Sequence, residues 1–358
     1  MQCNANTNLD SYRPNSIQLF WHICQNHSEE VVMPKISLVV PCYNEESNVV
    51  PFFEAIETLF SGQGILSDDG ARYELIFVND GSTDKTAEKI TDIVENKIMG
   101  GGAHGNVKGV FFSRNFGKEA ALFAGLRSAT GDCAVILDAD LQHPVSLIPE
   151  MYAAWKKGYE VVEGVKSDRG RESLFHRLFT KIFYGLISRA VGMDMKNSSD
   201  YKLLDKKVVA ELAKLRERNT FFRALSFWVG FKTTTVYYEV AERASGTSKW
   251  STKSLVKYAI NNVVCFSYAP LFIVMAIGAF FAAIGIILVI DTLVAFVRGA
   301  AADGFPTLLI VMLLGFGGVM ISLGVIGVYL AQVYDEIKGR PQYIVSKRIG
   351  GENDAERV

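Results

Sequence analysis

From about residue 35 to 165, short apolar runs alternate with stretches in which apolar residues recur every third or fourth position. Short runs bounded by turn residues read as strands, and the 3.6-residue recurrence reads as amphipathic helix. The pattern predicts strands at Ile36–Pro41, Tyr73–Val78, Val107–Phe112 and Cys133–Leu137, with helices near Ser47–Leu59, Asp84–Glu95 and Lys118–Ser128. Such alternation argues for an α/β domain with a Rossmann-like, mostly parallel sheet and helices on both faces. Ligands bind such sheets beyond the carboxyl ends of the strands. The residues that fall there are Pro41, Tyr43 and Glu45, then Asp80, then Asp138 and Asp140. No Gly-x-Gly-x-x-Gly follows the first strand, which disfavours a nicotinamide-dinucleotide site. Gly100–Gly102 reads as a connector.

Past residue 250 the periodicity gives way to continuous apolarity. No Asp, Glu, Lys or Arg occurs from Tyr258 to Ile290, or from Gly304 to Tyr334. Each stretch exceeds the roughly 20 residues that a helix needs to cross a bilayer core. The reading is a juxtamembrane amphipathic helix at Ser251–Cys265 that turns at Pro270, followed by spans at about 270–293 and 307–331. Lys249, Lys253 and Lys257 precede the pair and Lys338, Arg340, Lys347 and Arg348 follow it, while Arg298 alone is basic in the loop between. The positive-inside rule then places both termini in the cytoplasm and the loop outside.

Composition agrees with a part-membrane chain, at 49% hydrophobic residues in 358. Lys and Arg number 37 against 38 Asp and Glu, so no nucleic-acid partner is expected. Five scattered cysteines without a Cys-x-x-Cys support neither a disulfide framework nor a zinc site, and fit a reducing compartment. Residues 1–32 are polar, with no basic segment leading into an apolar core, and read as a disordered leader rather than a signal peptide. The expected organisation is that leader, a catalytic domain at 33–250, a juxtamembrane helix at 251–269, two spans at 270–334 and a cytoplasmic tail at 335–358.

Chemistry concentrates in Leu137-Asp-Ala-Asp-Leu-Gln-His-Pro144, two carboxylates one residue apart at the end of an apolar run. Carboxylate oxygens suit a hard divalent cation, and Mg²⁺ commonly reaches a protein through one or two carboxylates plus substrate phosphates. The spacing suggests a metal–diphosphate site; the alternative is a solvated turn. His143, alone beside it, reads as a packing or hydrogen-bonding residue. Lys118 opens a helix, where an anion site and a solvated helix start are both open.

Further motifs stand in order: Val40-Pro-Cys-Tyr-Asn-Glu-Glu46, Val78-Asn-Asp-Gly-Ser-Thr-Asp84, Ser113-Arg-Asn-Phe-Gly-Lys-Glu119, Asp200-Tyr-Lys-Leu and Ser245-Gly-Thr-Ser-Lys-Trp250. With the two spans and the tail Tyr334-Asp-Glu-Ile-Lys-Gly-Arg-Pro-Gln-Tyr343, the chain over about 35–345 resembles family 2 glycosyltransferases of the GT-A fold. Within that family it resembles the polyprenyl-phosphate branch, which holds the dolichol-phosphate mannose synthases and the GtrB-like bactoprenol glucosyltransferases. The resemblance implies a membrane-anchored, inverting transfer of one sugar, glucose from UDP-glucose, to undecaprenyl phosphate for cell-envelope glycan modification, at the bacterial inner membrane.

It also implies roles. Pro41, Tyr43 and Glu45 would shape the nucleotide-sugar pocket, Tyr43 against the base and Glu45 near the ribose, with Asp80 accepting a hydrogen bond from the base. Asn79 stands where many relatives carry a second Asp, so no role is carried over to it. Asp138, Asp140 and Gln142 would bind Mg²⁺ or Mn²⁺, with Asp140 the direct ligand. Asp200 would be the catalytic base, although a phosphate monoester hardly needs one at pH 7; a helix cap before Tyr201–Val209 is the other reading. Arg169, Arg177, Arg243, Ser248 and Lys249 would grip donor and acceptor phosphates, for which guanidinium suits bidentate bonding. Leu178–Val191 would lie on membrane lipid. A homo-oligomer and a GtrA-like flippase partner follow by the same analogy. The rivals are a processive polysaccharide synthase, whose Gln-x-x-Arg-Trp motif does not occur in the chain, and a non-catalytic membrane scaffold.

Overall fold

A computed structural model describes residues 33–100, 105–167, 199–217, 220–239, 269–299 and 304–350. The chain runs β1 (Lys35–Cys42), α1 (Val49–Ser61), α2 (Ile65–Asp68), β2 (Arg72–Asn79), α3 (Thr86–Gly100), β3 (Gly105–Phe112), α4 (Lys118–Ser128) and β4 (Cys133–Ile136). It continues through a 3₁₀ turn into α5 (Ile148–Lys156), β5 (Val161–Lys166), β6 (Lys202–Asp205), α6 (Lys206–Lys214), α7 (Phe222–Trp228) and β7 (Thr233–Tyr238). Two long helices, α8 (Ala269–Val297) and α9 (Phe305–Ile337), precede β8 (Val345–Ile349). The juxtamembrane helix expected at Ser251–Cys265 and the leader at 1–32 lie outside the described residues.

The strands form a single sheet in the order β7-β5-β6-β4-β1-β2-β3-β8. β4, β1, β2 and β3 run parallel, as the βα alternation predicts. The flanks differ: β6 lies antiparallel between β4 and β5, and β8 lies antiparallel on β3. β1 alternates strictly between the two layers. Leu38 and Val40 pack with Phe52, Ile56 and Phe60 of α1, whereas Val39 faces Ala121, Leu122 and Phe123 of α4. Period-two alternation with both faces apolar is what a strand buried between helices requires. Gly125 lets α4 settle onto this strand, since a Cβ there would lie 2.2 Å from a methyl of Val39.

Register brings the loops together. Pro41 pairs with Val78 and Cys42 with Asn79, so the loops after β1 and β2 leave the sheet side by side. β4 ends level with Val39, with the Leu137 amide donating to the Val39 carbonyl at 3.1 Å. Antiparallel β6 pairs Lys202 with Ile136, and two further steps along that ladder set Asp200 opposite Asp138.

The apolar helices are unlike the rest. Over Pro270–Ala295 and Ile310–Ile337 they are long and apolar enough to cross a membrane, and they leave Phe272, Ile287, Leu313 and Leu330 uncovered. A water-soluble protein seldom exposes a contiguous apolar surface on that scale. They pack on each other, with Gly318 against Phe281 and Ile277. These features indicate membrane association. The chain then returns to the catalytic sheet: Val345–Ile349 pairs with Gly109–Phe112, and Tyr343 stacks on Phe112 at 4.9 Å.

Candidate active site

The site forms where β1, β2, β4 and the approach to β6 end together. After β1, the Glu45 amide donates to Thr86 Oγ1 at 2.8 Å and the Asn44 amide to Ser82 Oγ at 3.0 Å, which ties the loop to its neighbour after β2. Asn44 holds a left-handed backbone (φ 56°), a conformation that Asn tolerates better than most residues. Tyr43 is left exposed at the rim, and Asn48 Nδ2 donates to Glu45 Oε2 at 2.5 Å.

Asp80 is buried, and both its carboxylate oxygens are occupied. The Phe116 amide donates to Oδ1 at 2.6 Å and the Gly117 amide to Oδ2 at 2.9 Å. Burial pushes its carboxyl above the ordinary value, against the pull of those two amides. In this conformation Asp80 anchors the loop that opens α4. Asn79, to which the sequence assigns no role, accepts the Ser82 amide at 3.2 Å and so shapes the turn at Gly81.

That loop delivers Lys118, the centre of the site. Its ammonium lies 2.7 Å from Asp138 Oδ1 and 3.1 Å from Asp200 Oδ2. From the other side, Arg223 of α7 grips Asp200 with two bonds, Nε to Oδ1 at 2.7 Å and Nη2 to Oδ2 at 2.9 Å. Burial alone would raise the Asp200 carboxyl, but Arg223 and Lys118 hold it well below the usual carboxylate range. Desolvation would lower Lys118, yet Asp138 and Asp200 hold it well above the ordinary lysine value. Asp200 is thus held toward its ionised form and clamped between two cations. It caps no helix: the next element is strand β6, and the cap of α6 is Asp205, which accepts the Lys207 amide at 2.9 Å.

The two carboxylates of the Asp-x-Asp motif face different partners. Asp140 accepts the Gln142 amide at 3.1 Å and Gln142 Nε2 at 2.5 Å across Leu141, whose backbone is left-handed at φ 59°. The Asp138 amide donates to His143 Nδ1 at 3.3 Å, while the His143 ring stacks on Tyr201 at 4.8 Å. Burial lowers His143, which keeps Nδ1 free to accept. It serves as the packing and hydrogen-bonding residue its sequence position suggests.

The structure therefore brings Asp138, Lys118, Asp200 and Arg223 into one cluster, with Asp140 and Gln142 beside it. Arg169, Arg177, Arg243, Ser248 and Lys249 lie outside the described residues, as does Leu178–Val191. Of the central residues, Arg223 escapes the sequence reading, and Lys118 is left open there between an anion site and a solvated helix start. Lys118 carries a signal, a cation on the first helical position after a loop, but one equally typical of a solvated start. Arg223 carries none, because its helix has seven residues in a mixed segment.

Fold and site together define a GT-A-type transferase domain on a two-helix apolar hairpin. The chain belongs to glycosyl transferase family 2, whose family model matches residues 37–210. It is 37% identical over 319 residues to the uncharacterized glycosyltransferase YkcC of Bacillus subtilis, covering 88% of this chain and 95% of that protein. It is 35% identical over 318 residues to the SfII prophage-derived bactoprenol glucosyl transferase of Shigella flexneri (87% and 98% covered). A prophage bactoprenol glucosyl transferase homolog of Escherichia coli K12 is likewise 35% identical over 318 residues (87% and 99% covered).

Proposed function

We propose that the protein transfers a single sugar from a nucleotide-sugar donor, a UDP-hexose such as UDP-glucose, to a polyprenyl phosphate such as undecaprenyl phosphate. The observation that carries this reading is the state of Asp200. A carboxylate held between Arg223 and Lys118 is a poor proton acceptor, so the acceptor must already be nucleophilic. A phosphate monoester, with its second pKa near 6, is mostly dianionic at pH 7 and meets that demand. The relatives named as bactoprenol glucosyl transferases and the uncovered apolar helices support a lipid-borne acceptor.

An oxygen of the lipid phosphate attacks the anomeric carbon in line. The bond from that carbon to the diphosphate breaks, and its electron pair leaves with the nucleoside diphosphate. One displacement inverts the centre, so an α-linked donor gives a β-linked product. Lys118 and Arg223 supply fixed positive charge beside Asp138 and Asp200, the arrangement that stabilises developing negative charge without reorganisation. The loops after β1 and β2 would seat the nucleotide, with Tyr43 at its base and Glu45 at its ribose. Asp80 would act on the base through the loop it anchors.

Among the described residues no cluster of three or more His, Cys, Asp or Glu could by itself hold a metal. Asp138, Asp140 and the amide oxygen of Gln142 would supply an oxygen-only set, whose chemistry suits Mg²⁺ or Mn²⁺ completed by a donor diphosphate. When bound, such an ion would offset charge on the departing diphosphate. The hairpin is proposed to cross the bacterial inner membrane with both its ends on the catalytic side.

The test is a donor panel. Detergent-purified protein with Mg²⁺ or Mn²⁺, undecaprenyl phosphate and UDP-, GDP- and dTDP-sugars is expected to form one lipid-linked product, from a UDP-hexose. Folded protein that yields no lipid-linked sugar from any donor would overturn the reading.

A further inference from the structure

Behind the Lys118–Asp200–Arg223 cluster lies a half-buried carboxyl that the reaction above does not use. Glu119, the second residue of α4, accepts the backbone amide of Phe222 at 2.8 Å through Oε2. Phe222 is the first residue of α7, and the residue before it, Phe221, has no side chain able to cap a helix. The first amides of any helix lack intrahelical partners, and a carboxylate there also meets the positive end of the helix dipole. Glu119 thus supplies from α4 the cap that α7 cannot supply itself. The two cations of the site are the sequence neighbours of this pair: Lys118 immediately precedes the capping residue, and Arg223 immediately follows the capped one.

We propose that Glu119 is a positioning residue for the sugar transfer, coupling α4 to α7 so that Lys118 and Arg223 close on Asp200 at fixed separation, and that its ionisation tunes anion binding at the site. This rests on the transferase reading above. The charged groups facing Glu119 are Asp200 from the approach to β6, Lys118 from its own helix and Arg223 from α7. With Glu119 protonated, Lys118 and Arg223 balance Asp138 and Asp200. With Glu119 ionised, the cluster carries one net negative charge and repels incoming phosphates. Burial, reinforced by Asp200, pushes the Glu119 carboxyl up to about 7, against the Phe222 amide and the two cations, so both states are populated near neutrality.

The experiment uses the full chain in detergent, comparing wild type with Glu119→Gln and Glu119→Ala. In wild type, KM for the nucleotide-sugar is expected to rise at least threefold as pH goes from 6 to 8.5, the direction that one added negative charge near an incoming diphosphate imposes. Glu119→Gln keeps an oxygen for the Phe222 amide but cannot ionise, so its KM should stay flat and its kcat at pH 6 should match wild type within about threefold. Glu119→Ala uncaps α7 and should lose kcat at least tenfold. A readout independent of turnover follows from linkage. A carboxyl raised on folding stabilises the protein below the unfolded value of 4.5 and loses that contribution as pH rises towards 7. Wild type should therefore melt progressively lower than Glu119→Gln between pH 5 and 8. Parallel melting curves for the two, or a Glu119→Gln KM profile identical to wild type, would overturn the proposal. A melting difference without transfer from any donor would sustain the Glu119 assignment and refute only the transferase reading.

Discussion

Asp200 shows how a residue's chemistry depends on what surrounds it. Its motif position suggests a catalytic base; two cations lie within 3.1 Å of its carboxylate, and the proposed role is that of a counter-charge. Asp200→Asn should therefore lower kcat at least tenfold by releasing Lys118 and Arg223, while leaving the shape of the kcat–pH profile from 5 to 9 unchanged. Loss of an ionisation from that profile would instead mark Asp200 as a base. Arg223→Ala leaves a buried carboxylate with one partner. It should cost about 2 kcal/mol of stability, the scale of a hydrogen bond to a charged group, measurable by denaturant unfolding in detergent. Asp138 and Asp140 were legible as a pair because carboxylates at a strand end are visible in one dimension. Arg223 was not, because its role arises only when α7, 23 residues after Asp200, folds back over it.

At the scale of elements, the parallel half of the sheet was readable from periodicity, since β1 to β4 each carry an apolar run between turn residues. The flanks were not. β6 has four residues, and β8 is Val-Ser-Lys-Arg-Ile, an edge strand whose middle is polar and which is stable only because β3 is there to receive it. Both apolar helices also run past their expected ends, to Val297 and Ile337, because the backbone hydrogen bonds continue beyond the stretch that apolarity marks.

The return of the tail makes it part of the catalytic domain. Ile344 accepts the Ser113 amide at 3.0 Å, and Arg127 reaches Gln342 at 3.0 Å while bonding the Leu215 carbonyl at 2.8 Å. Tyr343→Ala should destabilise the domain by about 2 kcal/mol through loss of the Phe112 stack and its buried area, read by denaturant unfolding. No change would mean that β8 merely rests on the sheet.

The opposite end of the sheet carries its own electrostatic anchor. Glu74, fully buried in β2, accepts from Ser37 Oγ at 2.7 Å and the Thr130 amide at 2.8 Å, with Lys108 at 2.5 Å and Lys35 at 3.1 Å. Burial alone would raise its carboxyl, but bonds from Lys108, Ser37 and Thr130 bring it down to about 2. A carboxyl lowered on folding gives stability that is complete above its unfolded value of 4.5 and disappears as pH falls through about 2. The contribution is roughly 3 kcal/mol. Wild type should lose that advantage over Glu74→Gln between pH 4.5 and 2 in acid unfolding curves, and curves that stay parallel would refute the assignment.

For the whole molecule, the path of the chain unites the anchor with the site. The two apolar helices lie in the chain between β7 and β8, the strands at opposite edges of one sheet. At 1.5 Å per residue α8 and α9 measure about 43 and 50 Å, enough to span a bilayer and project beyond it. On the proposed function, such an anchor would hold a water-soluble donor site next to a lipid headgroup and turn the encounter with the acceptor into a two-dimensional search. The central claim, that the acceptor arrives already charged and needs no base, is tested most directly by offering two acceptors that differ only in the phosphate. With saturating UDP-glucose and divalent metal, undecaprenyl phosphate should be glycosylated with inversion at a rate that is level between pH 7 and 8, and undecaprenol should give no product. Transfer to undecaprenol, with a rate that climbs with pH, would contradict the account.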